Sequence, residues 1–359
     1  MIYAHDEIKM VHFEPTQKCQ AACPMCDRNK NGGDVNQYLK NKDVSLSDFK
    51  KIFSRKFLSQ LKSFMMCGNH GDPILCPELI DICKYIRKSN DKIQLYVITN
   101  GGARTPDWWV ELSKWVSYVN FSVDGLEDTN HFYRQGVQWH KVEENMDAFI
   151  SAGGVADWTF LVFGYNEHQV EDAERFAKLM GIRRFIVKKS GRYVNSATLK
   201  NKDDHEVYNR KNNFNHLLTK PKNEKYQNKA TETDYDRIVN KFGSLENYIQ
   251  IADIKPRCAD KKEIYVSAEG LVFPCCWLGG QIYKWWRPKE DGDVYQLMLT
   301  TGGMDGINAI KKPLKNIIEG EFFEEIKNSW EIKGCSNGRI QTCGLKCNVG
   351  FDPFSAQWK

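Results

Sequence analysis

Between residues 8 and 189, short apolar runs alternate with longer stretches in which apolar residues recur every three or four positions. The short runs are IKMVHF (8–13), FMMC (64–67), IQLYVIT (93–99), YVNFSV (118–123), DWTFLVF (157–163) and RRFIVKK (183–189). Branched and aromatic residues dominate them, which favours extended backbone. The stretches between carry helical spacing: LSDFKKIFSRKFL (46–58), PELIDICKYIRKS (77–89), PDWWVELSKW (106–115), HKVEENMDAFISAG (140–153) and EHQVEDAERFAKLMG (167–181). Ser45 and Pro106 mark helix starts, and Gly153 and Gly181 mark helix ends. Six strands alternating with helices predict a parallel α/β sheet with helical crossovers. Functional loops should then gather at the C-terminal ends of the strands, and each Gly-rich or Cys-rich loop here does follow a strand.

After Ser190 the pattern changes. Residues 191–247 are polar and basic and read as a linker with some helix, separating a first domain at 1–190 from a second at 248–359. In the second, IYVSAEGLVFPC reads as a hairpin turning at Ala268-Glu269-Gly270. No internal repeat is evident.

Composition narrows the class. A chain of 359 residues with 41 % hydrophobic and 12 % aromatic residues can fill a core, which excludes global disorder. No apolar run is long enough for a membrane span, and the N-terminus lacks a secretory layout, so the expected compartment is the cytoplasm. The net charge of +5 is uneven: residues 183–230 hold 13 Lys or Arg against 4 Asp or Glu. A solvated linker is the ordinary reason for such a segment, and an anionic partner the other.

Twelve cysteines in a chain without a signal peptide point to metal ligation rather than disulfides. Nine fall in two groups, Cys19, Cys23 and Cys26 near the start, and Cys258, Cys275, Cys276, Cys335, Cys343 and Cys347 near the end. Cys67, Cys76 and Cys83 sit among apolar residues and read as buried thiols.

Cys19, Cys23 and Cys26 follow the first strand with spacing C-x3-C-x2-C. Three thiolates so placed can hold a cubane iron–sulfur cluster and leave one iron open to a chelating molecule. A structural zinc ion wants four donors; His12 and Asp27 are the local candidates, and neither has standard spacing. The spacing resembles the defining motif of the radical S-adenosylmethionine (SAM) superfamily. Gly68-Asn69-His70-Gly71-Asp72-Pro73 after the second strand is similar to that family's glycine-rich motif, with Asp72 where Glu is more usual. Thr99-Asn100-Gly101 and Ser122-Val123-Asp124-Gly125, after the third and fourth strands, resemble the family's ribose and methionine loops. Arg134 in HFYRQG matches a position that pairs with the SAM carboxylate, and Met25 stands where an aromatic residue is commoner. The resemblance implies a partial (β/α)6 TIM-like barrel. It also implies a 4Fe–4S cluster on Cys19, Cys23 and Cys26, the catalytic cysteines. SAM would be bound by Gly71, Asp72, Pro73, Thr99, Asn100, Ser122, Asp124 and Arg134.

Cys258-x11-Gly270-x4-Cys275, followed by Cys343-x3-Cys347, resembles the SPASM/twitch extensions of that family. The implied unit is a smaller α+β twitch-type domain with one auxiliary iron–sulfur cluster, of 4Fe–4S type, on Cys258, Cys275, Cys343 and Cys347. Cys335 is the alternate ligand and Cys276 an inert thiol. Four thiolates would also suit zinc. Among the aromatics near this domain, Tyr265, Trp277, Trp285 and Trp286 could line a pocket or simply pack.

The implied activity is that of an oxidoreductase that cleaves SAM reductively to a 5′-deoxyadenosyl radical, which takes a hydrogen atom from a peptide or protein substrate. A sugar-like or nucleotide substrate is the alternative. An electron carrier or structural zinc protein is the reading from another class. The implied partners are a one-electron reductant such as flavodoxin or ferredoxin and, because only 18 residues precede Cys19, a separate leader-binding protein. No membrane partner is expected, and nucleic acid ranks last because no nucleic-acid-binding motif accompanies the basic segment.

Overall fold

A computed structural model describes residues 1–195 and 197–358. The first six strands are β1 (Met10–Phe13), β2 (Ser63–Met66), β3 (Gln94–Thr99), β4 (Tyr118–Ser122), β5 (Ala156–Val162) and β6 (Arg184–Lys189), all parallel and in sequential order. Side chains alternate across the sheet. One face presents Val11, Phe13, Phe64, Met66, Leu95, Val97, Val119 and Phe121, all fully buried. The helices Leu79–Ser89, Pro106–Ser113, Trp139–Ser151 and Val170–Leu179 supply the crossovers. Phe13 packs edge-on against Phe49, Phe53 and Phe64 at 5.3, 5.7 and 5.8 Å between ring centres, and burying one such ring contributes roughly 1.5–3 kcal/mol. The opposite face, with Met65, Tyr96, Ile98, Asn120 and Ser122, is only half-buried and lines a hollow. The sheet is a partial barrel open on that side.

The helix expected over 46–58 is two. Leu46–Ile52 ends at an extended Phe53, and Arg55–Ser59 starts anew because the Ser54 side chain accepts the Phe57 N–H as a cap.

The polar segment 191–247 holds more structure than its composition implies. A hairpin of β7 (Asp204–Tyr208) and β8 (Phe214–Thr219) precedes the helices Thr233–Phe242 and Leu245–Ile251. Within those two strands only Val207 and Leu218 are buried, so the alternation that marks a strand in sequence is missing.

The predicted hairpin forms as β9 (Glu263–Val266) and β10 (Val272–Phe273), turning where Gly270 adopts φ +81°. Its first strand pairs in parallel with β1, His12 opposite Tyr265, so the sheet runs β10-β9-β1-β2-β3-β4-β5-β6. The C-terminal extension is therefore joined to the first cysteine loop through shared backbone hydrogen bonds. No described helix is long and apolar enough to cross a membrane.

Candidate active site

The first cysteine loop leaves β1 at Phe13 and is held by the loop that leaves β2. Glu14, fully buried, accepts the His70 and Gly71 N–H groups at 2.7 and 2.9 Å. Asp72 N–H bonds the Lys18 carbonyl at 2.8 Å. A Cβ at Gly71 would stand 1.9 Å from the Thr16 carbonyl oxygen, so only glycine lets the two loops touch. Burial pushes the Glu14 carboxyl up, but hydrogen bonds and charge from His70, with a bond from the Tyr265 hydroxyl, outweigh it and leave its pKa lowered.

Each of the three thiols has a polar neighbour from a different strand-end loop. Asn100 Nδ2 lies 3.8 Å from Cys19 Sγ, Arg134 Nη1 lies 3.6 Å from Cys23 Sγ, and Cys26 Sγ donates to the Asn69 carbonyl at 3.8 Å. The structure thus brings the motif residues after β1, β2, β3 and β4 together. Burial pushes the Cys26 thiol up to about 11 and raises Cys19 and Cys23, with Arg134 opposing the rise at Cys23. Thiols so buried ionise only against strong positive charge, which the irons of a cluster supply.

The remaining motif residues are arranged around this loop. Asp72 is buried; its Oδ2 accepts Asn100 N and Nδ2 at 2.8 and 2.6 Å, Oδ1 accepts Ile74 N at 3.3 Å, and the Thr99 hydroxyl lies against the carboxylate. Burial is the main reason its pKa is raised, those hydrogen bonds working against it. Pro73 is buried beside it, and Thr99 Oγ1 closes the next turn by accepting Gly101 N at 3.1 Å. Asp124, fully buried, accepts Leu161 N at 2.8 Å and holds Arg134 Nε at 2.6 Å. Ser122 lies half-buried on the hollow side, opposite Thr159.

The C-terminal cysteines face a cavity of about 230 Å³ whose opposite wall is the hollow side of the sheet, at Met10, His12, Met65 and Tyr96. Cys258, Cys275, Cys343 and Cys347 all line it, as does Cys276, with Trp277, Trp330 and Phe354 among its apolar walls. Burial pushes the Cys275 thiol up to about 12 and raises the others. Cys335 is not part of the lining; it is half-exposed, and its N–H bonds Gln250 Oε1. Trp285 and Trp286 also lie outside it, and Tyr265 is a buried partner of Glu14 rather than a pocket wall.

Two observations test what this cavity fits. The buried Trp330 indole stands beside Cys343, and its N–H favours the ionised form of that sulfur, which suits a thiolate ligand there. Among the described residues, no three His, Cys, Asp or Glu are placed to hold a single metal ion.

Sequence reasoning passed over several residues that shape this region. Glu14 reads as a strand terminator and Asn69 as a turn residue, yet Asn69 touches both sites, its side chain donating to the Cys276 carbonyl at 2.8 Å. Lys188 and Arg192 lie in a basic stretch and Lys346 stands alone between Cys343 and Cys347, none of them with a local signal.

Residues 13–177 match the Radical SAM superfamily. No curated protein matches the chain. Among solved structures, Streptococcus suis SuiB bound to precursor peptide SuiA superposes with TM-score 0.58 at 12 % identity, over 99 % of this chain and 77 % of SuiB. Native anSMEcpe with bound AdoMet superposes with TM-score 0.55 at 15 % identity, over 96 % of this chain and 92 % of that one. At such identity these likenesses speak for the fold. Together with the match over residues 13–177, the partial barrel and its C-terminal extension make this chain similar to the radical SAM superfamily, with the match confined to the barrel.

Proposed function

We propose that this chain is a SAM-cleaving oxidoreductase of peptides or proteins, with one auxiliary cluster. The observation that carries the proposal is the convergence of Asn100, Arg134 and the Asn69 carbonyl on Cys19, Cys23 and Cys26 at the mouth of a half-open barrel. A reduced 4Fe–4S cluster there, chelated by SAM, would supply the 5′-deoxyadenosyl radical that takes a hydrogen atom from substrate. Cys19, Cys23 and Cys26 would hold that cluster, with the Asn100 and Arg134 N–H groups steadying two of the thiolates. Arg134, fixed by Asp124, keeps Nη2 without a protein partner among the described residues, and a guanidinium suits the SAM carboxylate. The Asp72 carboxylate suits the SAM ammonium, with Gly71 and Pro73 shaping the approach. Thr99, Asn100 and Ser122 would flank the ribose and methionine. Cys258, Cys275, Cys343 and Cys347 would ligate the auxiliary cluster, of 4Fe–4S type, leaving Cys276 a neighbouring thiol.

A peptide substrate is supported by two structures of like fold, SuiB bound to precursor peptide SuiA and anSMEcpe solved with AdoMet and a peptide. A flavodoxin- or ferredoxin-type reductant in the cytoplasm completes the reading. Anaerobic reconstitution with iron and sulfide, followed by SAM and dithionite, should yield 5′-deoxyadenosine. A cluster-loaded protein that neither binds nor cleaves SAM would overturn the proposal in favour of an electron carrier.

A further inference from the structure

Six cations surround the space between the two cysteine sites: Arg134, Lys188, Arg192, Arg257, Lys284 and Lys346. Three are paired. Arg134 meets Asp124 at 2.6 Å, Arg257 meets Asp352 at 2.6 Å, and Lys284 meets Asp27. The side chains of Lys188, Arg192 and Lys346 find no carboxylate and donate no hydrogen bond among the described residues, although the other cations around them do.

The two lysines are nevertheless held in place. Lys188 Nζ sits 4.7 Å over the Trp358 ring and Lys346 Nζ 4.4 Å over the Trp277 ring. Lys188 is half-buried on β6, near Cys67 on the hollow side, while Lys346 lines the C-terminal cavity. Arg192, open to solvent, acts on both lysines and lies near Cys23, Cys26 and Asp27. Burial, then the Arg192 charge, lowers Lys188 to about 8. Asp124, the carboxylate that acts on Lys188, is already occupied by Arg134 and Leu161 N. Like charges gathered in a half-enclosed space cost free energy unless a counter-charge enters.

We infer that this space binds an anionic group of the substrate, a carboxylate or a phosphate, through Lys188, Arg192 and Lys346. The inference rests on the proposed function, because it assigns the substrate's charge at that same site. An acidic side chain of a peptide and a phosphorylated substrate offer the same chemistry, and the probes below separate them.

The test is a tryptophan-fluorescence titration of the reconstituted, SAM-loaded protein with glutarate, inorganic phosphate and neutral glutaramide, since Trp277 and Trp358 stack on the two lysines. At least one anion should saturate at a concentration about tenfold or more below that of glutaramide. Lys188→Gln should weaken that anion about tenfold, and Lys188→Arg should restore it. Tighter glutarate assigns a carboxylate, and tighter phosphate a phosphorylated substrate. Equal response to glutaramide overturns the inference, as does anion affinity unchanged in both Lys188→Gln and Lys346→Gln. 5′-deoxyadenosine is measured on the same samples: intact SAM cleavage without anion preference sinks this inference alone, whereas a protein that neither binds nor cleaves SAM sinks the function beneath it.

Discussion

The two cysteine regions differ in what surrounds the sulfur. Cys19, Cys23 and Cys26 each meet a polar group from another loop, and next to them stand a guanidinium nitrogen with capacity to spare and the Asp72 carboxylate. The C-terminal cavity has four proposed ligand thiols and largely apolar walls, with the Trp330 indole beside Cys343 and Lys346 at its edge. Three ligands with polar walls suit a site that must admit a charged molecule; four ligands with apolar walls suit one whose ligands all come from the protein. The difference fits the proposed division, exchange at the first site and a fixed cluster at the second.

The harshest test of that division compares Cys23→Ala with Cys347→Ala after reconstitution. Each should lower iron from about eight to about four per chain. Cys23→Ala should also reduce 5′-deoxyadenosine to background, while Cys347→Ala should leave SAM affinity within about twofold, because distant sites act independently. If Cys347→Ala abolishes SAM binding, the two regions form one functional unit and the contrast fails.

A second comparison concerns how tightly each side is packed. Gly71→Ala drives a methyl group to within 1.9 Å of the Thr16 carbonyl, where only backbone can yield. Gly280, across the same interface, has φ −71° and nothing closer than Asn69 Nδ2 at 3.8 Å. Gly71→Ala should cost about 3 kcal/mol in urea unfolding and impair loading of the first cluster. Gly280→Ala should stay within about 0.5 kcal/mol. Equal effects would mean that the first loop is no more constrained than the second.

The same contrast explains what the sequence could reveal. Strands β2, β3 and β4 were legible because a one-sided core imposes strict alternation, as in Leu95, Val97 and Thr99, and β5 because burial on both faces makes it a near-continuous apolar run. The cysteine spacing and the loops after β1 to β4 were legible because their chemistry is local to each loop. Strands β7 and β8 were not, since two buried residues leave no period to read. Nor could spacing show that β9 joins β1, a pairing about 250 residues apart that depends on tertiary packing. Lys188, Arg192 and Lys346 become a group only through that packing, so no local pattern marks them.

The finest test lies at the seam between the regions, where Tyr265 of β9 donates to Glu14 at the root of the first cysteine loop. Tyr265→Phe removes a hydrogen bond to a buried carboxylate and should cost roughly 1.5–3 kcal/mol at neutral pH. The folded-state pKa of Glu14 is lowered, so its contribution is fully present above the unfolded carboxyl value and fades as pH falls through the folded one. The gap between parent and Tyr265→Phe, measured by urea unfolding of the iron-free chain, should therefore be level from pH 8 to about 5 and narrow below about 4. A gap that stays constant into acid would mean that Tyr265 serves Glu14 by packing alone. The C-terminal extension would then be tied to the first loop by the β1–β9 pairing, and the two cysteine regions would be electrostatically uncoupled at the seam.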